Sequence, residues 1–197
     1  ALHGETIAGA TIASVIVPNN FFECIEVVAN AIGERRPALV VMMGEYGGRS
    51  MITVERIATN YNDSTRYGLA DNRGRTLQGE PTVPGGPAAV NATAPIRAMV
   101  QAMREAGVPA DISDTPGTFG CNHLMYGVLH HIEHEGLGIP AAWIHLPALP
   151  EVAALDRNLG MPSMSAETST RGVRVAIEAA LAHPTDIDVA VPSLFQI

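Results

Sequence analysis

Short apolar runs alternate with longer amphipathic patterns along this chain, and that alternation leaves few architectures open to it. Residues 11–17 predict a strand and residues 21–34 a helix. Pro37 then introduces Ala38-Leu39-Val40-Val41-Met42-Met43, closed by Gly44. A run that is apolar at every position suits a strand covered on both faces. Residues 52–58 alternate more strictly and predict a strand nearer a sheet edge. Helices are expected over 94–106, 121–135 and 165–182, with strands at 109–113 and 141–146 and a final edge strand at 188–191. The reading is an α/β fold: one three-layer α/β/α domain over residues 1–197 with a mostly parallel twisted sheet. Sites in such folds lie off the carboxyl ends of the strands. The ends of strands 38–43, 109–113 and 141–146 should therefore bring Glu45, Cys121 and His145 to one rim. Residues 60–86, rich in Gly, Pro, Asn and Asp, interrupt the alternation as a long irregular excursion of the kind that often carries function.

The 197 residues suffice for one sizeable core, and 47% hydrophobic against 16% charged residues argues against disorder. A net charge of −8 disfavours nucleic acid and anionic membranes as partners. Apolar runs are too short to cross a bilayer, and the start lacks a basic segment followed by an apolar one. A cytoplasmic protein is expected. Its two cysteines, Cys24 and Cys121, should then stay reduced. Cys24 falls in a helical apolar pattern and reads as a small buried hydrophobe.

Cys121 has a different setting. In Gly117-Thr118-Phe119-Gly120-Cys121-Asn122-His123 it follows a glycine-punctuated turn and opens a helix, where unpaired N–H groups and the helix dipole favour a thiolate. His145 ends an apolar strand, and Glu55 sits within Ile52-Thr53-Val54-Glu55. A cysteine, a histidine and an acid on strands or strand ends are the parts of a thiol hydrolase. Arg49 and Arg56 read as structural ion-pair residues. His130 and His134 share a helix face but lack a third ligand, so no metal is expected there.

Five runs in order, Gly44-Glu45-Tyr46-Gly47-Gly48-Arg49, Val54 to Asn60, Gly85-Gly86-Pro87-Ala88-Ala89, Gly117 to His123 and Ile144-His145-Leu146-Pro147, resemble those of the pyroglutamyl peptidase I (pyrrolidone-carboxylate peptidase) family. The resemblance implies a cytoplasmic cysteine peptidase that removes an N-terminal pyroglutamyl residue from peptides without metal or cofactor, commonly as a homo-oligomer, a dimer or tetramer. It implies Cys121 as nucleophile, His145 as general base, Glu55 as the acid orienting that base, and Arg66 near the oxyanion. Phe119, Glu45, Asn19, Tyr67 and Gly120 fall at positions that contact the substrate ring.

Several of these depart from the family pattern. Glu45 replaces an amide, Asn19 a threonine, Tyr67 a branched aliphatic residue, and Gly120 a bulky one. The family's first strand and its ring-gripping Gly-Phe-x-Pro-Phe-Gly-Gly loop are expected to precede the given residues rather than to be deleted. A carboxylate at position 45 accepts but does not donate, which motivates a rival reading as a thiol amidase for another small N-acyl or lactam group. A further rival is a binding paralogue that has lost catalysis.

Overall fold

The computed structural model describes residues 1–194. In chain order the strands are β1 (Thr6–Ile7), β2 (Ala10–Thr11), β3 (Val40–Glu45), β4 (Ile52–Glu55), β5 (Ile57–Thr59), β6 (Asn62–Asp63), β7 (Gln78–Glu80), β8 (Ala89–Asn91), β9 (Ala110–Ser113) and β10 (Ala141–Leu146). The helices are α1 (Glu23–Arg35), α2 (Ile96–Glu105), α3 (Gly120–His134), α4 (Pro150–Ala153) and α5 (Ala166–Ala182). The helical expectations hold to within two residues at each end. Ser165 caps α5 through its hydroxyl, which accepts the Thr168 N–H at 3.1 Å.

The main sheet has the order β3-β10-β4-β9. β3 and β10 run parallel, as do β4 and β9, but β4 is antiparallel to β10. The sheet is thus mixed, with two pairings of three parallel. One expectation changes as a result. The carboxyl end of β9 does not lie on the rim formed by the ends of β3 and β10, because β9 runs the other way.

Side chains alternate across the sheet. Met42 and Trp143 point into a core with Cys24, Val28 and Ile32 of α1 and Met125, Val128 and Leu129 of α3. Ile52, Val54, Ala142 and Ile144 point the other way, against Met99 and Met103 of α2 and Ala176 and Ala180 of α5. Helices therefore cover both faces, which gives the expected three layers.

Four strand assignments are corrected. The run 38–43 gives β3, but at the edge of the sheet rather than covered on both faces, with Met42 buried and Met43 half exposed. The run 52–58 is not an edge strand: β4 lies inside the sheet with all four residues buried. The chain changes partner at Arg56, whose N–H bonds to Ser113 O and whose carbonyl accepts from Ala92, and β5 then pairs with β8 in a separate ribbon. Of residues 11–17 only Thr11 is in a strand, within the β1–β2 hairpin. The Ile12 and Ser14 N–H groups go to Glu5 O and His3 Nδ1 instead of a ladder. Residues 188–191 form no strand either. There the tail is spent on α2: Asp186 accepts the N–H groups of Arg97 and Ala98 at the helix start, and Arg104 reaches Pro192 O at 2.8 Å.

Candidate active site

Period-two alternation selects the residues of the site. His145 lies two positions after Trp143 on β10, so it shares the face covered by α1 and α3. Across the antiparallel pair, Trp143 faces Glu55 and His145 faces Thr53, which places Thr53 and Glu55 on that same face. His145 Nδ1 is 2.7 Å from Glu55 Oε1, and both side chains are fully buried. Beside a carboxylate, Nδ1 carries the hydrogen and donates, leaving the Nε2 lone pair free. Nε2 is buried and finds no partner among the described residues, and the same is true of Glu55 Oε2 and the Trp143 indole nitrogen.

Cys121 comes from the first turn of α3 on this face. Its sulfur lies 3.4 Å from where a Cβ on Gly44 would stand, and Gly44 is the register partner of His145 on the neighbouring strand. The thiol thus occupies the space that a side chain beside His145 would fill. The same Cβ would stand 2.8 Å from the Trp143 ring, so any larger residue at position 44 displaces indole or sulfur.

The next two residues of α3 fix this helix start in place. Asn122 is buried; its Oδ1 accepts the Thr59 N–H at 2.8 Å, and its Nδ2 donates to the carbonyls of Thr59 and Tyr61. His123 is also buried; Nε2 accepts the Phe22 N–H at 2.9 Å, and Nδ1–H donates to Thr82 Oγ1 at 3.0 Å. Phe22 holds φ at 68°, a conformation that costs a non-glycine residue about 1–3 kcal/mol unless its surroundings enforce it. In Cys121-Asn122-His123 the second and third residues therefore anchor the first. His130 stacks on Tyr126 on one side and on His134 on the other.

Burial pushes the His123 imidazole down to about 4 from 6.5. The unfolded chain then binds the extra proton between those values, so stability is complete above pH 6.5 and falls as pH drops toward 4. The loss expected by pH 4 is roughly 3 kcal/mol. Urea midpoints between pH 7 and 4 should show this slope, and His123→Gln should flatten it.

Burial pushes the Cys121 thiol up to about 12, and the Glu55 charge adds to this; the backbone N–H of Cys121 and the charge of Arg49 only partly offset them. This reverses the thiolate expected from the helix start, because desolvation outweighs the N-terminal field. For Glu55, burial acts to raise the carboxyl. Hydrogen bonds from His145 and Ser113, with the charges of His145 and Arg49, outweigh it and hold the group below the usual carboxylate range.

Other sequence-selected residues cluster near Cys121. A Cβ at Gly120 would overlap Asn19 Oδ1, so the small residue at 120 accommodates the amide at 19. Phe119 precedes α3 in extended backbone and meets Phe21 edge-on at 5.6 Å. Arg66 and Tyr67 lie in a short 3-10 turn tied to the loop before α3, through Asp63 N–H to Thr118 O at 2.8 Å and Thr118 Oγ1 to Asp63 O at 3.2 Å. Arg66 is exposed, with its guanidinium over the Tyr67 ring.

Glu45 departs from expectation. It pairs with Leu146, and alternation puts its side chain on the face opposite Gly44 and His145, in solvent. Its carboxyl is not directed at the Cys121 face. Tyr46 and Trp143, not among the residues selected from the sequence, meet His145 edge-on at 5.2 and 5.5 Å. The i−2 spacing of Trp143 from His145 was the available signal for the second.

This geometry has close relatives. Residues 1–183 match the family model described as pyroglutamyl peptidase. The chain belongs to the pyroglutamyl peptidase family. It is 64% identical to the pyrrolidone-carboxylate peptidase of Mycobacterium tuberculosis over 196 residues, covering 100% of this chain and 88% of that protein. The crystal structure of Bacillus amyloliquefaciens pyroglutamyl peptidase I superposes with a TM-score of 0.89 at 35% identity, covering 94% of this chain and 87% of that one. The pyrrolidone carboxyl peptidase of Thermococcus litoralis gives 0.89 at 29% identity, covering 96% and 88%. As a member of the family the chain is a cysteine peptidase, a hydrolase. Among the described residues no helix is long and apolar enough to cross a membrane.

Proposed function

We propose that Cys121, His145 and Glu55 are the nucleophile, general base and orienting acid of a peptidase that removes pyroglutamate from peptide N-termini. The observation that carries this is the 2.7 Å His145–Glu55 contact, which leaves a buried, unpartnered Nε2 on the face where Cys121 opens α3. Because burial holds the sulfur as a thiol, attack and proton transfer are coupled. The sulfur bonds to the pyroglutamyl carbonyl carbon as its proton passes to His145 Nε2. Glu55 stabilises the imidazolium so formed. Backbone N–H groups at the start of α3 meet the oxyanion, an interaction worth about 3 kcal/mol. His145 returns the proton to the leaving amine, the C–N bond breaks, and a thioester remains. Water, deprotonated by His145, then releases pyroglutamate and restores the thiol.

Arg66 adds positive charge near the oxyanion; its support is the attachment of its turn to the 117–118 loop. Phe119, Asn19, Tyr67 and Gly120 wall the ring site, and Glu45, on the far face, takes no part in it. A cytoplasmic setting suits two free cysteines. A homo-oligomer, dimer or tetramer, rests on the family resemblance. The test is a panel of pyroglutamyl, prolyl, acetyl and free α-amino amides. Cleavage of the first with at least about 100-fold preference is expected; stronger turnover of another acyl group would favour the rival amidase.

A further inference from the structure

Arg49 is bound to the acid of the site, not to a surface partner. Its Nη1 lies 2.8 Å from Glu55 Oε1, the oxygen that also accepts from His145, and it donates to Thr53 Oγ1 as well. Its Nη2 is 3.4 Å from Ser113 Oγ. The guanidinium rests on the face of Tyr46, 4.1 Å from the ring centroid, and Tyr46 in turn meets His145 edge-on. The contacts close a ring: Arg49 to Glu55, Glu55 to His145, His145 to Tyr46, and Tyr46 back to Arg49. The Arg49 side chain is 15% exposed and Glu55 fully buried, so the pair is poorly screened by solvent.

We propose that Arg49 is a positioning residue of the peptidase reaction: it fixes Glu55 in the rotamer that serves His145 and limits how strongly that carboxylate draws a proton onto the imidazole. This rests on the roles proposed above for Cys121, His145 and Glu55. A buried carboxylate alone beside Nδ1 would favour imidazolium in the free enzyme, and a protonated Nε2 cannot take the thiol proton. A cation on the same carboxylate oxygen cancels part of that field. Glu55 still stabilises the imidazolium formed during attack. Arg49 also acts on the thiol in the sense opposite to Glu55, favouring ionisation. Among the described residues, the titratable or charged groups placed round His145 are Glu55 from β4, which accepts from it, Tyr46 after β3, which meets it edge-on, Arg49, which reaches it through Glu55, and Cys121 from α3, which lies beside its register partner Gly44. β9 contributes the uncharged Ser113. A purely structural ion pair would affect folding without altering the pH profile.

The test compares Arg49→Gln, Arg49→Lys, Cys121→Ala and wild type on a pyroglutamyl amide, recording kcat and KM against pH together with Tm. Arg49→Gln should lower kcat about tenfold or more with KM within about twofold. It should also move the acidic limb of kcat/KM up by roughly half a pH unit or more. Arg49→Lys keeps the charge without the planar fork, so it should retain the limb and lose kcat by about threefold or more. A folded Arg49→Gln with wild-type kcat and limb, or a change confined to KM or Tm, overturns the proposal. If Arg49→Gln does not fold, Arg49→Lys decides: lowered kcat at constant KM supports the proposal, and wild-type kcat overturns it. Turnover surviving in Cys121→Ala would instead refute the underlying roles, which keeps the two failures distinct.

Discussion

Replacing Cys121 with alanine should lower turnover of a pyroglutamyl amide by on the order of 10⁴-fold or more, with little change in thermal stability. The two expectations have separate causes. On the roles proposed above, removing the sulfur eliminates the nucleophile, and the remaining thiol cannot substitute. Cys24, the other cysteine, is buried in the α1–α3 core, and burial pushes its thiol up to about 11. Stability survives because the helix start is held by Asn122 and His123, not by the thiol. Burial holds the thiol protonated at neutral pH, so in the proposed mechanism its reactivity depends on His145 accepting the proton as the bond forms. His145→Ala should therefore be nearly as inactive as Cys121→Ala, and the double variant little worse than either. Steady-state kinetics beside circular dichroism melts would check this; an active Cys121→Ala would contradict it.

Glu55→Gln should lower kcat by about 10³–10⁴-fold and destabilise the fold as well. Glutamine has nearly the same shape, so the loss would come from charge. Without the carboxylate, the imidazolium formed during attack has no counter-ion, and an amide can present its NH2 to Nδ1 and impose the wrong tautomer. Arg49 would be left as a mostly buried cation without its ion-pair partner. Breaking one side of a buried pair typically costs about 3–5 kcal/mol. Cys121→Ala and Glu55→Gln should thus differ in melting temperature while both are inactive. A Glu55→Gln enzyme with wild-type kcat would remove the acid from the mechanism.

Much of the fold was legible because local signals and tertiary demands agree. The apolar run 141–144 forms the buried interior strand β10, and Ser165 opens α5 through the cap its sequence suggests, whereas the equally apolar run 38–43 becomes the edge strand β3, with Met42 buried and Met43 half exposed. Strand polarity was not legible. Nothing local in Ile52-Thr53-Val54-Glu55 reveals that it enters the sheet interior antiparallel to β10. Residues 11–17 and 188–191 have strand-like composition, but their polar groups are used in a hairpin and in binding α2. At the site, chain position and family resemblance single out Cys121, His145 and Glu55, and the fold brings His145 onto Glu55 and Cys121 beside Gly44; the roles given to the three are those proposed above. The charge state of the thiol could not be read from the sequence, because desolvation depends on packing by residues distant in sequence. Glu45 shows the same limit in reverse: a single-residue register places its carboxyl on the far face. Arg49, six residues before Glu55 within a glycine-rich run, looked like an ordinary ion-pair residue until the fold placed it on the carboxylate.

The most direct test is intact-mass and peptide mapping after incubation with a pyroglutamyl chloromethyl ketone, with and without excess pyroglutamyl amide. One adduct per chain on Cys121 is expected, formed in step with loss of activity, blocked by the amide, and strongly slowed in His145→Ala. Modification at Cys24 or another residue as activity falls, or full turnover by a chain alkylated at Cys121, would contradict the account.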